Sequence, residues 1–195
     1  HRYDGHDGLG KQPKDEISGA DLKGFGSREW LTGLLDPARI DTPQYWGGTH
    51  FKEDSDMVKF VKDTAEFSPE QKEVLQKAIV ALSAQAKLGS QAAADARDEK
   101  LIEEGTAAMS GTLLGCTDCH KFNEVDNAGD GPDLSGYASK EWLMAFITDA
   151  SHPRFYGEQN DRMPSFGPDK TLTEHQIGLV ADWLRGDWAR PAAAK

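Results

Sequence analysis

The stretch "DLKGFGSREWLTGLL" at residues 21–35 returns as "DLSGYASKEWLMAFI" at residues 133–147, a shift of 112 positions (133 against 21). The copies share Asp, Leu, Gly, an aromatic residue, Ser, a basic residue and then Glu-Trp-Leu, in that order. Downstream, "QYWGGTHFKEDSDMVKF" (44–60) resembles "RFYGEQNDRMPSF" (154–166): an aromatic pair before Gly, a polar stretch, then a Met with a Phe three residues later. Self-similarity at this spacing constrains the fold more than any propensity does, because one unit must be built twice. The chain therefore divides into a first unit at 1–88 and a second at 89–195, with the boundary near "AKLGSQAAADARD" (86–98), where Gly89 and Ser90 end one helix.

Each unit closes on an amphipathic helix with a capping signal. Ser68 precedes Pro69 in "SPEQKEVLQKAIVAL" (68–82), and Thr173 opens "TEHQIGLVADWL" (173–184). Ser27 and Ser139 read as N-caps of the short helices that carry Trp30 and Trp142. No stretch alternates convincingly at period two, so the fold class is all-α. An alanine-rich helix spanning about 91–114 is expected to run straight into Cys116. Hydrophobic residues make up 37% of the 195 and mean hydropathy is −0.64, so the core is modest and a buried cofactor could help to hold it. No run approaches the roughly 18 apolar residues of a membrane span.

Both cysteines lie in "GTLLGCTDCHKF" (111–122), and a histidine follows the second. A disulfide across two intervening residues closes a tiny loop and stabilises little. A catalytic C-x-x-C belongs after a strand in alternating β and α elements, and here a helix precedes it. Zinc takes four ligands, and no second C-x-x-C or paired His stands at suitable spacing. C-x-x-C-H is the signature of covalent haem attachment: two thiols on one turn each bond a vinyl group, and the histidine reaches the iron.

"CTDCH" (116–120), "GPDLSG" (131–136) and "RMPSF" (162–166) together resemble the class I c-type cytochromes, over about residues 91–188. The resemblance implies two cytochrome c-like helical domains in tandem, the first lacking its N-terminal helix and C-x-x-C in this sequence. It implies Cys116 and Cys119 as thioether anchors of haem c, His120 as proximal ligand, the Pro132 carbonyl as partner of its second imidazole nitrogen, and Met163 as distal ligand. A thioether sulfur favours reduced iron, and Pro164 stiffens the loop that aims it. Tyr137, Trp142, Phe146 and Tyr156 are expected to wall the porphyrin while also packing the helices, with Trp142 and Phe146 one helical turn apart. Arg162 and Arg154 could meet propionates or stay solvated. His152 and His175 are weaker distal candidates, and Met109 and Met144 read as core.

Alignment of the copies lays "HRYD" (1–4) over "HKFN" (120–123), so His1 matches His120 and Met57 matches Met163, with Trp30 between them. Two readings of this half stand: the sequence begins inside a C-x-x-C-H motif, or the unit has lost its haem and kept its shape. His6 and His50 are further possible ligands there. The paired motifs also resemble, more loosely, the two-haem cytochrome c modules attached to cytochrome b in some bacterial quinol-oxidising complexes.

The expected work is one-electron transfer in a respiratory or other membrane-linked chain, not catalysis. A dihaem peroxidase-like enzyme and a haem-based sensor are the alternatives. Net charge is −11, which disfavours nucleic acid and suits a redox partner with a basic docking face. Covalent haem attachment implies export to the periplasm or the outer face of the membrane, and the looser resemblance implies a place beside a cytochrome b-type complex.

Overall fold

The computed structural model describes residues 1–7, 17–125 and 129–189. Among them the fold is all-α but for one minimal hairpin, β1 (Arg2–Tyr3) and β2 (His6–Asp7), paired antiparallel. The helices are α1 (Arg28–Leu34), α2 (Asp56–Asp63), α3 (Pro69–Gln85), α4 (Ala92–Arg97), α5 (Glu99–Met109), α6 (Lys140–Thr148) and α7 (Glu174–Arg185).

The expected caps form. Ser27 Oγ accepts from Trp30 N, and Ser139 Oγ from Trp142 N, both at 3.1 Å. Ser68 with Gln71 and Thr173 with Gln176 make reciprocal capping boxes at the starts of α3 and α7. Each cap supplies a partner to an otherwise orphaned amide and contributes about 1 kcal/mol.

The repeat extends well beyond the caps. Trp30 Nε1 donates to Asp21 O, and Trp142 Nε1 to Asp133 O, both at 2.9 Å. Asp21 N donates to Gln44 O as Asp133 N does to Arg154 O, and Trp46 N to Ile40 O as Tyr156 N does to Ala150 O. Past Gly47 and Gly157 the two copies diverge. The first half forms a 3-10 turn at His50–Lys52 and then α2, whereas residues 160–172 of the second half carry no α-helix. Pro164 disfavours a helical Met163, while Val58 and Val61 give α2 an apolar face that packs on Ile40.

Equivalent residues of the copies meet. The rings of Phe25 and Tyr137 lie 5.5 Å apart, and a methyl group on Gly26 would overlap the Cβ of Ala138. Such contacts arise where an approximate two-fold axis passes between the halves. One apolar core straddles that axis, including Trp30, Leu31, Leu82, Met109, Phe122 and Trp142. It crosses the 88/89 boundary.

The helix expected over 91–114 is broken. It is interrupted at Asp98 (φ −103°, ψ 22°) and ends at Met109. Asp95 and Asp98 turn their carboxylates to Arg28 of α1, at 2.7 and 2.5 Å. Gly115, in the left-handed region at φ 63°, then admits a separate 3-10 turn at Cys116–Asp118. Nor does α5 stay with its own half. It packs extensively on α3, the closing helix of the first unit, whereas α7 packs on α6.

Candidate functional site

The segment 116–120 is held by its own backbone. His120 N donates to Cys116 O at 2.9 Å and Cys119 N donates to the same carbonyl at 3.3 Å, so both thiols and the imidazole leave a single turn. Neither cysteine is in a disulfide; Cys116 is half-buried against the core and Cys119 is exposed. Burial pushes the Cys116 thiol up to about 11, so it is protonated at neutral pH and is a poor thiolate nucleophile. Among the described residues no three His, Cys, Asp or Glu side chains converge as ligands for a metal ion, so the motif has no ready-made zinc site around it.

His120 is oriented from behind. Its Nδ1 lies 2.8 Å from the Pro132 carbonyl oxygen, which only a ring N–H can satisfy, so Nδ1 carries the proton and Nε2 keeps a free lone pair. Gly131 makes this geometry possible, because a Cβ there would stand 2.7 Å from both Cε1 and Nδ1 of the ring. Gly131 N also donates to Cys119 O at 3.0 Å, locking the glycine-proline segment to the cysteine turn. Burial lowers the His120 pKa, partly opposed by the Pro132 hydrogen bond, so the ring is a neutral base at pH 7.

The aromatic residues expected from sequence do come together. Trp142 and Phe146 stack with centroids 5.0 Å apart, Tyr137 lies 5.1 Å from Trp142, and Tyr156 lies 5.7 Å from Phe146. Phe155, which the sequence did not single out, meets Trp142 edge-on at 5.2 Å. Its signal was available: it matches Tyr45, which meets Trp30 in the same way at 5.4 Å. Burial raises the Tyr156 phenol to about 12 and that of Tyr137 well above its ordinary value.

Met163 is half-buried on the segment 160–172, its carbonyl oxygen accepting from Asn160 Nδ2 at 2.8 Å. Two bonds tie that segment to the end of α6: Ser165 Oγ to Asp149 Oδ1 at 2.6 Å, and Gly167 N to Thr148 O at 3.0 Å. Arg162 is exposed and donates to Asp161 and to Gly48 O, and Arg154 pairs with Asp133 at 3.1 Å. His175 is exposed, and His152 Nδ1 accepts from Arg154 N.

The first half repeats the imidazole support. His1 Nδ1 lies 3.0 Å from Ala20 O, and a Cβ on Gly19 would stand 2.5 Å from that nitrogen. Ala20 and Gly19 are the counterparts of Pro132 and Gly131 at the same shift of 112 positions (132 against 20). Met57 differs from Met163: it sits in the first turn of α2, packed on Ile40, Val58 and Val61. His6 is exposed, and His50 faces Asp161 at 3.1 Å.

Among the described residues no helix is long and apolar enough to cross a membrane. The chain matches no family model, no curated protein and no solved structure.

Proposed function

We propose that this chain is an electron-transfer protein that carries haem c on Cys116 and Cys119, with His120 and Met163 as axial ligands. The observation that carries the reading is the His120 ring. Its Nδ1 is bound to the Pro132 carbonyl and its edge rests on Gly131, so Nε2 keeps a free lone pair on a ring that leaves the same turn as two unpaired thiols. A free histidine on a loop has no need of such support. A ligand does, because the carbonyl fixes both tautomer and ring plane and raises basicity at the coordinating nitrogen.

The bound haem would supply a one-electron iron couple. The chain's own residues set the conditions for it. Cys116 and Cys119 tether the macrocycle from one turn, and the neutral His120 offers a lone pair without first losing a proton. Met163 offers a soft sulfur from a segment anchored to α6. Trp142, Phe146, Phe155 and Tyr156 pack ring on ring and would give the haem an apolar wall that excludes water and lowers the local dielectric. A net charge of −11 would speed encounter with a basic redox partner at low salt. Export follows from the same reading, because covalent haem is attached outside the cytoplasm.

Expression in an exporting host with a haem-attachment system tests this. Intact mass under denaturing conditions should show covalent haem on the peptide that holds 116–120, with a low-spin spectrum. Cys119→Ser should leave a single thioether, and Met163→Ala should shift the reduction potential downward and open the iron to CO. A chain that matures without covalent haem refutes the proposal. A high-spin iron that turns over peroxide would move it to the peroxidase-like class.

A further inference from the structure

Residues 160–165, which include Met163, lie in no helix, strand or hydrogen-bonded turn. Such a stretch keeps one conformation only through the contacts made around it. Its own half holds it at the two ends. Asn160 Nδ2 donates to Ser151 Oγ at 2.9 Å, and Ser165 Oγ donates to Asp149 Oδ1 at 2.6 Å. Between those ends, the two residues directly before Met163 are held from the first half of the chain. Asp161 Oδ1 faces His50 Nδ1 at 3.1 Å, and Arg162, paired with Asp161, donates to Gly48 O at 3.2 Å.

The first half is firm where it makes these contacts. Gly48 rests on the backbone of Ser18, where a Cβ would stand 2.8 Å from the carbonyl oxygen. Thr49 N and Oγ1 both donate to Trp46 O. Beside them the Phe51 ring stands between two others, 5.4 Å from Trp46 and 5.4 Å from Tyr156. Trp46 and Tyr156 are counterparts in the repeat, so Phe51 lies close to the approximate two-fold axis. A ring on such an axis would collide with its own copy, so only one half can place one there. This is where the copies diverge, past Gly47 and Gly157. Tyr156 in turn meets Phe146, at 5.7 Å, in the aromatic group of the second half.

We infer that the first half positions the distal ligand of the second: His50 and Phe51 are positioning residues that fix residues 156–162 and so present Met163 from an ordered chain. The inference rests on the proposed role of Met163, and it gives the first half a task that does not depend on a metal of its own. A surface pair such as His50 with Asp161 contributes little energy alone. Its effect is on order: a ligand already held in place loses less freedom when it binds. Without that order, a small competing ligand should take the position of Met163 more readily.

Two measurements on the full haem-bearing chain test this: imidazole binding to the ferric protein, and hydrogen exchange of the peptide 157–167 read by mass spectrometry. The double variant His50→Ala, Phe51→Ala should bind imidazole about tenfold more tightly and exchange about tenfold faster there, the size of one lost ring contact. Its reduction potential should fall. His50→Ala alone, at a side chain 46% exposed, leaves the packing intact and should move both readings in the same direction by about threefold. Arg185→Met loosens the two halves at another place; it should lower the melting temperature and leave both readings unchanged. Unchanged imidazole affinity in the double variant overturns the inference, whether or not exchange quickens. So does an equal rise in Arg185→Met, which would make the contact general cement between the halves. A parent protein whose imidazole affinity is unaltered by Met163→Ala fails the underlying reading itself.

Discussion

Replacing Gly105 by alanine tests the swapped packing of α5 on α3, and its sign is set by two opposed terms. Alanine is the better helix former by about 1 kcal/mol, so at an exposed helical position the change would stabilise. Here the new methyl would stand 2.6 Å from Lys77 C, against the 3.4 Å at which ordinary contact begins, a shortfall of about 0.8 Å. The obstacle is the backbone of α3, which cannot rotate away as a side chain can. The helices must separate, and the buried residues around the crossing, Ala78, Ala81 and Met109, loosen with them. Overpacking of this kind costs roughly 1–3 kcal/mol, so the net change is a loss of about 1 kcal/mol, rising to about 2 kcal/mol if the separation spreads along the interface. At about 2–4 °C per kcal/mol for a chain of this size, the melting temperature should fall by about 4 °C in a thermal scan followed by circular dichroism. Urea unfolding should show a lower midpoint with an unchanged slope. A melting temperature that holds steady or rises would mean that α5 does not cross α3 at Gly105.

The matched caps give a paired test. Ser27→Ala and Ser139→Ala should each cost about 1 kcal/mol, and a large difference between them would contradict equivalent roles for α1 and α6. Asp21 predicts a pH effect. Burial pushes its carboxyl up, but hydrogen bonds from Lys23, Gly5 and Asp4 N–H groups outweigh that and hold it below 3.8. Its contribution is therefore present above pH 3.8 and lost as pH falls through the lower folded value. Asp21→Asn should lower the melting temperature at pH 7, and the gap to the parent should shrink below about pH 4; a constant gap would refute the assignment. Arg185 donates to Ala86 O at 2.5 Å, Ala138 O at 2.9 Å and Lys87 O at 3.2 Å, so it ties the end of α3 to the second half. Arg185→Met should destabilise by about 1–3 kcal/mol in urea titrations, since it strands buried carbonyls that its own apolar stem cannot satisfy.

What could be read from the residues was local. Ser27, Ser68, Ser139 and Thr173 carry their caps in one side chain and three positions of spacing, and all four form. The His120 to Pro132 contact was legible only through resemblance; nothing in composition indicates that Gly131 must lack a Cβ to permit it. The break at Asp98 was hidden because its partner is distant: Arg28, 70 positions away, binds the carboxylates of Asp95 in α4 and of Asp98 at the break. The exchange of α5 onto α3 was hidden for a like reason. An amphipathic helix declares that it has a partner but not which one, and two closing helices of the same type were on offer. Met57 is a different case: the repeat matched it to Met163, yet Val58 in place of a proline lets its segment coil into α2.

The contact between Gly26 and Ala138 has a consequence for how the two halves can change. Two identical polypeptides meeting on this axis would have to carry the same residue at both points, and two methyl groups do not fit there. Such a homodimer would be confined to glycine on both sides. Within one chain the restriction halves: one side keeps glycine, and the other holds alanine at φ 58°, a left-handed conformation that costs an L-residue about 1 kcal/mol. Covalent linkage is what makes this lopsided seam available, and every other position along the axis gains the same freedom to differ from its twin.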